Sequence, residues 1–244
     1  MSEPSAYCHP FTREELFYRF DTSSSGSKHL LILYSLVIGI NAQVIAEIGL
    51  GQTTGALRAA AALTGATVHT CDFDKRRHNH LLAQQDDHWK LYLEPSTSFI
   101  EQLHEPIDLV MHDGAHDYLT VRRDLELLIP KMRKFGIVCI HDTQETDLYG
   151  DMLAAIKDAV TGFSVSITNL PFSCGLAIIR VESSHHPPIF PAAGSLSDGR
   201  PDTTLAAFPA NPSDNSFRVS TVRSRLMTAK IKVGHMLRQA GVRS

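Results

Sequence analysis

The stretch VIAEIGLGQTTG, residues 44–55, constrains this chain more than any other. A continuous apolar run (44–51) stops at glycines, and an alanine-rich helical segment (TTGALRAAAALT, 53–64) follows at once. Strand, glycine turn and helix in that order open a β-α unit. The alternation then repeats. TVHTCDFD (67–74) reads as a second buried strand ending in acids, followed by a polar helix over 75–87 and a third strand at WKLYLEP (89–95). IDLVMHD (107–113) is a strand, and residues 117–134 carry a helical apolar period through Tyr118, Val121, Leu125, Leu128 and Met132. GIVCIHD (136–142) is another strand. A helix over 148–161, with Leu153, Ile156 and Val160 on one face, leads to SVSITNL (164–170) and CGLAIIRV (174–181). Only Pro171, Phe172 and Ser173 join that last pair, too few for a crossover helix, so it should be antiparallel. Strands alternating with helices predict an α/β fold: a doubly wound seven-stranded sheet, covered on both faces and closed by an antiparallel terminal hairpin.

The flanks differ from this body. Residues 1–28 are polar and end in the serine-rich run 21–28, read as a solvated linker or a helix N-cap. The apolar segment from His29 to Ile40 is a covering helix; it is too short to span about 30 Å of hydrocarbon, and Asn41, Gln43 and Glu47 interrupt its continuation. Residues 29–181 form the central domain, and 182–216, rich in Pro, Ser, Asp and Ala, read as a linker. Residues 217–244 regain a helical stripe (Val222, Leu226, Ala229, Val233, Leu237, Ala240) and hold seven basic residues and no acid. The whole chain has a formal charge of −3, so the remainder carries −10. This basic amphipathic segment docks on the acidic body or a sister subunit, which would make the chain a homo-oligomer, or anchors it at a membrane surface or other polyanion, or is disordered. A pI near 6.5 gives no global pull toward nucleic acid. Cys8, Cys71, Cys139 and Cys174 form no CxxC pair, and three lie in apolar, strand-like runs, a pattern of buried thiols in a reducing compartment. The N-terminus lacks the basic and apolar regions of a secretory signal, so a cytoplasmic location is expected.

The chemistry gathers at the strand ends. Gly49 and Gly51 let a ligand approach the backbone, and Asp72 and Asp74, about twenty residues on, can accept bonds from ribose hydroxyls. The third glycine, Gly55, falls one residue late for the dinucleotide fingerprint, and no G-x-x-x-x-G-K-[ST] loop cradles phosphates. A nucleoside cofactor without a pyrophosphate fits better. Two further motifs, DLVMHDGAHDY (108–118) and GIVCIHDT (136–143), place acids and histidines at the ends of adjacent strands. Asp113 and Asp142 suit one hard divalent cation, and His116 lies close enough in sequence to act on a cation-bound hydroxyl. His78 and His80 read as solvated groups on a polar helix. His185 and His186 begin the linker and suggest no metal site. Trp89 and Phe99 read as core or as pocket wall.

AEIGLGQTTGAL, the strand-end Asp72 and IDLVMHDGAHDY…DLELLIPKMRKFGIVCIHDT together resemble class I S-adenosylmethionine-dependent methyltransferases. Within them the likeness is to small-molecule O-methyltransferases of the cephalosporin-hydroxylase-like and macrolide-sugar branch, over residues 29–181. The resemblance implies a Rossmann-like sheet and S-adenosylmethionine as cofactor. It also implies a hydroxyl acceptor on a sugar or other polyhydroxylated natural product. By it, Glu47, Gly49 and Gly51 line the methionine and ribose end of the cofactor, with Asp113 beside them. Asp72 holds the ribose hydroxyls and Ser96 sits near the adenine. Asp113 and Asp142 are Mg²⁺ ligands and His116 is the general base. The residue before the second aspartate, a glutamate ligand in the metal-binding sugar enzymes, is His141 here. Imidazole is a poorer partner for Mg²⁺. Either Asp117 or Asp147 completes the shell, or the ion is Mn²⁺-like with His141 among its ligands, or no metal binds. Two rivals are an NAD-dependent oxidoreductase, disfavoured by the late glycine and the lack of a Tyr-x-x-x-Lys pair, and a non-catalytic scaffold that keeps the cofactor fold and recruits a membrane or partner through its basic helix.

Overall fold

Strands β1 (Val44–Ile48) and β4 (Ile107–His112) are buried along their whole length. Apolar residues on both faces suit only a strand covered on both sides, and these two form the centre of the sheet. Three further parallel strands and a terminal hairpin complete the seven-stranded sheet, in the order β3-β2-β1-β4-β5-β7-β6. The strands are β2 (Thr67–Cys71), β3 (Trp89–Tyr92), β5 (Met132–His141), β6 (Val165–Leu170) and β7 (Leu176–Val181). Strand β7 runs antiparallel to both β5 and β6, as the short connection requires. The computed structural model describes residues 8–21, 25–144 and 151–186. The basic segment 217–244, all of the linker after residue 186, and Asp147 lie outside the described residues.

Alternate strand residues feed two cores. Ala46, Ile48, Val110, Val138 and Ile140 pack with α5 (Ser96–Gln102), α6 (Tyr118–Leu128) and α7 (Met152–Ala159). Ile45, Leu109, Met111 and Cys139 pack on the opposite face with α2 (Ser25–Gly39) and α3 (Gln52–Thr64). Trp89 and Phe99 are fully buried, one in each core. At the amino end of β4, Asp108 accepts backbone N–H bonds from Gln43 and Val44, both at 2.9 Å, with Arg133 at 3.2 Å on its other oxygen.

The structure departs from the expected elements at four points. Helix α6 stops at Leu128 instead of 134, and β5 starts at Met132 instead of 136. Pro130 has no N–H to return to the preceding turn, so a single 3₁₀ turn (Ile129–Lys131) follows. Met132 continues the helical period only because it is buried as the first residue of a strand. The helix expected over 75–87 is the single α-turn α4 (Lys75–His78) and a 3₁₀ turn (Asn79–Gln84). Only His78 and Leu81 are buried there, too narrow a stripe to hold a longer helix. Within the polar 1–28 segment lies α1 (Arg13–Asp21), seated through Phe11 and Leu16 against Leu30 and Ala56. Cys174 sits in the β6–β7 turn with φ 68° rather than in a strand. Cys8, Cys71 and Cys139 are buried, and none of the four cysteines forms a disulfide among the described residues.

The late glycine has a packing reason. A Cβ on Gly55 would fall 2.5 Å from the Phe11 ring, and the Phe11 N–H donates to the Gly55 carbonyl at 3.0 Å. Gly55 thus receives the N-terminal segment on α3. No helix among the described residues is long and apolar enough to cross a membrane.

Candidate active site

The turn after β1 is set by backbone contacts. Gly49 has φ +93°, and a Cβ there would lie 2.6 Å from the Asp113 carbonyl carbon. Such an approach requires glycine. The parallel ladder continues past the strand ends, with Gly49 N–H donating to Cys71 O at 2.9 Å and Asp113 N–H donating to Ile48 O at 2.8 Å. These bonds bring the carboxyl ends of β2, β1 and β4 together. Gly51, extended at φ −164°, leads into α3, and nothing lies where its side chain would be.

A cavity of about 410 Å³ opens over these ends, within the range of small-molecule sites. Gly49, Asp72, Ser96 and Asp113 line it, together with Ile48, Leu50 and Phe73. Asp72 accepts the Leu50 N–H at 3.2 Å and the Asp74 N–H at 2.8 Å. His78, expected to be solvated, is buried with Nε2 3.7 Å from Asp72, because the chain turns back over the end of β2. His80 is exposed as expected. Trp89 and Phe99 belong to the cores and do not line the cavity.

Glu47 and Gly51 are not lining residues either. Glu47 points into the α3 side of the sheet and is fully buried. Its carboxylate accepts hydroxyl bonds from Thr53 (2.6 Å), Thr54 (2.7 Å) and Thr70 (2.8 Å). The Thr54 hydroxyl also receives the Gly51 N–H, and the Thr70 hydroxyl receives Trp89 Nε1–H. Glu47 therefore ties the turn to α3 and β2 from beneath. Burial pushes its carboxyl up to about 7, against the pull of the three hydroxyls. A folded-state value above the unfolded one means that the fold binds the proton more tightly. The contribution of this group is then lost as pH rises from about 4.5 through about 7. Glu47→Gln removes the titration, so its melting temperature should fall less than that of the wild type over this window. Parallel curves in differential scanning calorimetry would show that Glu47 does not titrate there.

On the other side of Asp113 the strand ends of β4 and β5 bring four groups together. His141 Nδ1 lies 3.1 Å from Asp113 and 2.9 Å from Asp142. His116 Nε2 lies 3.4 Å from Asp113, and its Nδ1 is 3.4 Å from Asp142. Asp142 is held at φ +58°. Burial disfavours charge on both Asp113 and His141, yet their mutual bonds win. Asp113 is held down to about 2 by His116 and His141, and His141 is raised to about 10 by Asp113 and Asp142. One ligand atom each from Asp113, His141 and Asp142 lies within 4.8 Å of the others. That spacing, with two carboxylates and an imidazole, fits a divalent cation with mixed oxygen and nitrogen ligands. Asp117 does not join this group: it is exposed and caps α6 by accepting the Thr120 N–H at 3.0 Å.

The sequence assigns no individual role to three buried groups near these residues. His29 on α2 stacks edge-on to His141, ring centroids 5.0 Å apart, and lies 3.2 Å from the Phe172 carbonyl. Burial and the neighbouring His141 push it down to about 4, so it is neutral. No sequence signal announces it. His112 and Asp124 form a fully buried pair at 3.1 Å, and Ser96 Oγ donates to Asp124 at 2.9 Å. Here a signal existed, since Asp124 is an acid in the buried stripe of Val121, Leu125 and Leu128.

Residues 46–143 match the sequence profile of a methyltransferase domain family. No curated protein sequence matches the chain. Among solved structures, a methyltransferase of Podospora anserina bound to S-adenosylhomocysteine superposes with a TM-score of 0.55 at 15% identity, over 73% of this chain and 94% of that one. An O-methyltransferase from Bacillus cereus in complex with the same compound gives 0.51 at 16%, over 63% and 80%. The N-methyltransferase NodS from Bradyrhizobium japonicum, also with that compound, gives 0.51 at 12%, over 70% and 94%. Residues 46–143 are thus similar to a methyltransferase domain, and the chain has the Rossmann-like fold of these methyltransferase structures.

Proposed function

We propose that this methyltransferase transfers the methyl group of S-adenosylmethionine to a hydroxyl of a sugar or another polyhydroxylated small molecule. The supporting observation is the placement of His116, within 3.4 Å of both Asp113 and Asp142, where Asp113 is also a wall of the cavity. One carboxylate thus borders both the cofactor side and the proton-accepting side. The cofactor, when bound, supplies a methyl group already activated by its sulfonium. The protein then has two tasks, to align a hydroxyl and to accept its proton, and alignment alone contributes several kcal/mol.

Gly49 and Leu50 approach the cofactor through backbone, Asp72 accepts its ribose hydroxyls, and Ser96 meets its base. His116 takes the acceptor's proton, and Asp113 and Asp142 stabilise the imidazolium that results. Asp113, His141 and Asp142 would hold a divalent cation, which would lower the pKa of a hydroxyl touching it. The nitrogen donor favours a Mn²⁺-like ion over Mg²⁺.

Calorimetric titration with S-adenosylhomocysteine, with Mg²⁺, with Mn²⁺ and without either, tests the reading, with NAD⁺ as control. Micromolar binding of the homocysteine nucleoside and none of NAD⁺ is the expected result. Absence of binding under every condition would overturn the proposal. Turnover of polyhydroxylated acceptors that EDTA abolishes, and that Mn²⁺ restores better than Mg²⁺, would assign the cation; turnover indifferent to EDTA would remove it.

A further inference from the structure

The buried His112–Asp124 pair has no task yet in the cavity or the His116 cluster. His112 and Asp124 have no solvent exposure, lie 3.1 Å apart, and neither lines the cavity. A buried histidine–carboxylate pair is costly to desolvate. Ser96, which lines the cavity, joins the pair to it: its hydroxyl donates to the second Asp124 oxygen at 2.9 Å.

That link fixes the polarity of the cavity wall. A carboxylate only accepts, so both the Ser96 O–H and the His112 Nε2–H must point at Asp124. The tautomer is held as well. His112 Nδ1 is buried without a hydrogen-bond partner among the described residues, and a proton moved there would be an orphaned donor. A serine hydroxyl can usually rotate to donate or accept. Here its hydrogen is committed, and only lone pairs face the cavity.

The strand order says what meets those lone pairs. Along the sheet edge, β3, β2, β1, β4 and β5 place Ser96 beyond β3, Asp72 at β2, Gly49 at β1 and the His116 cluster at β4 and β5. On the methyltransferase reading proposed above, on which this inference rests, the reactive end of the cofactor lies toward His116 and the ribose at Asp72. The nucleobase then falls at Ser96. We infer that Asp124, oriented by His112, is a positioning residue that locks Ser96 as an acceptor and thereby selects a 6-amino purine over a 6-oxo purine. An exocyclic amine donates to Ser96. A 6-oxo group would set acceptor against acceptor, an arrangement that buried sites reject strongly.

The test compares S-adenosylhomocysteine with S-inosylhomocysteine by calorimetry on the full chain. The wild type should prefer the adenosyl compound by about tenfold or more. In the near-isosteric Asp124→Asn, the amide oxygen still accepts from His112 while the amide N–H donates to Ser96. The serine hydrogen then turns toward the cavity, and the preference should fall to about parity or reverse. Ser96→Ala, which leaves His112 and Asp124 in place, should weaken the adenosyl compound and also erase the preference. A change in stability alone would weaken both ligands and leave their ratio unmoved. Equal wild-type affinities, or a full preference surviving in either variant, would overturn the inference while leaving cofactor binding established. Binding of neither compound by the wild type would overturn the underlying function as well. If Asp124→Asn does not fold, Ser96→Ala decides.

Discussion

Gly49→Ala should abolish measurable cofactor binding, with an affinity loss of about 100-fold or more, and should destabilise the fold by about 2–4 kcal/mol. Two costs combine. A φ of +93° lies outside the region that alanine readily adopts, and the new methyl would press into the Asp113 carbonyl, 2.6 Å from its carbon. Neither backbone can step aside cheaply. Gly49 is bonded to Cys71 and Asp113 to Ile48, so relief requires breaking the ladder at the site itself. The displaced Asp113 belongs both to the cavity and to the histidine cluster, so binding and chemistry would fail together. Thermal melting and S-adenosylhomocysteine titration check this. Unchanged affinity in a folded variant would mean that the turn is not part of the cofactor wall.

His116→Ala should lower methyl transfer by about 10²-fold or more while leaving S-adenosylhomocysteine affinity within a few-fold of wild type. The asymmetry follows from position. His116 touches Asp113 and Asp142 but does not line the cavity, so its loss removes the proton acceptor and spares the cofactor wall. Asp113 keeps His141 at 3.1 Å, so it does not become an unpaired buried charge. Release of S-adenosylhomocysteine with an acceptor that the wild type turns over is the readout. Normal turnover in the variant would remove His116 from the reaction.

What could be read from the sequence follows the reach of each interaction. The strand ends and the glycine turn were legible because Gly49, Asp72, Asp113 and Asp142 declare themselves through neighbours a few positions away. The antiparallel hairpin was legible because a short link permits nothing else. The Glu47 cage was not. Thr53 and Thr54 are local, but Thr70 joins only through the register that pairs it with Glu47 across β1 and β2. The burial of His78 against Asp72 depends likewise on the chain turning back over β2. Helix α1 is not legible because its few apolar residues gain burial from α2 and α3, through Leu30, Tyr34 and Ala56 among others, contacts that the segment's own pattern cannot announce. The end of α6 was misplaced for a different reason: Met132 satisfies a helical period and a strand start equally, and Pro130 decides between them.

The threonine cage under Glu47 bears on how a ligand arrives. With Gly51 N–H bonded to Thr54, Leu50 N–H bonded to Asp72, and Glu47 joining α3 to β2, the shape of the turn is specified by the protein alone. A ligand therefore meets a surface already in its receiving form, and little chain entropy is lost on docking. Encounter becomes a matter of diffusion into a rigid socket, and differences in residence time among related nucleosides come from the groups they present to Asp72 and Ser96.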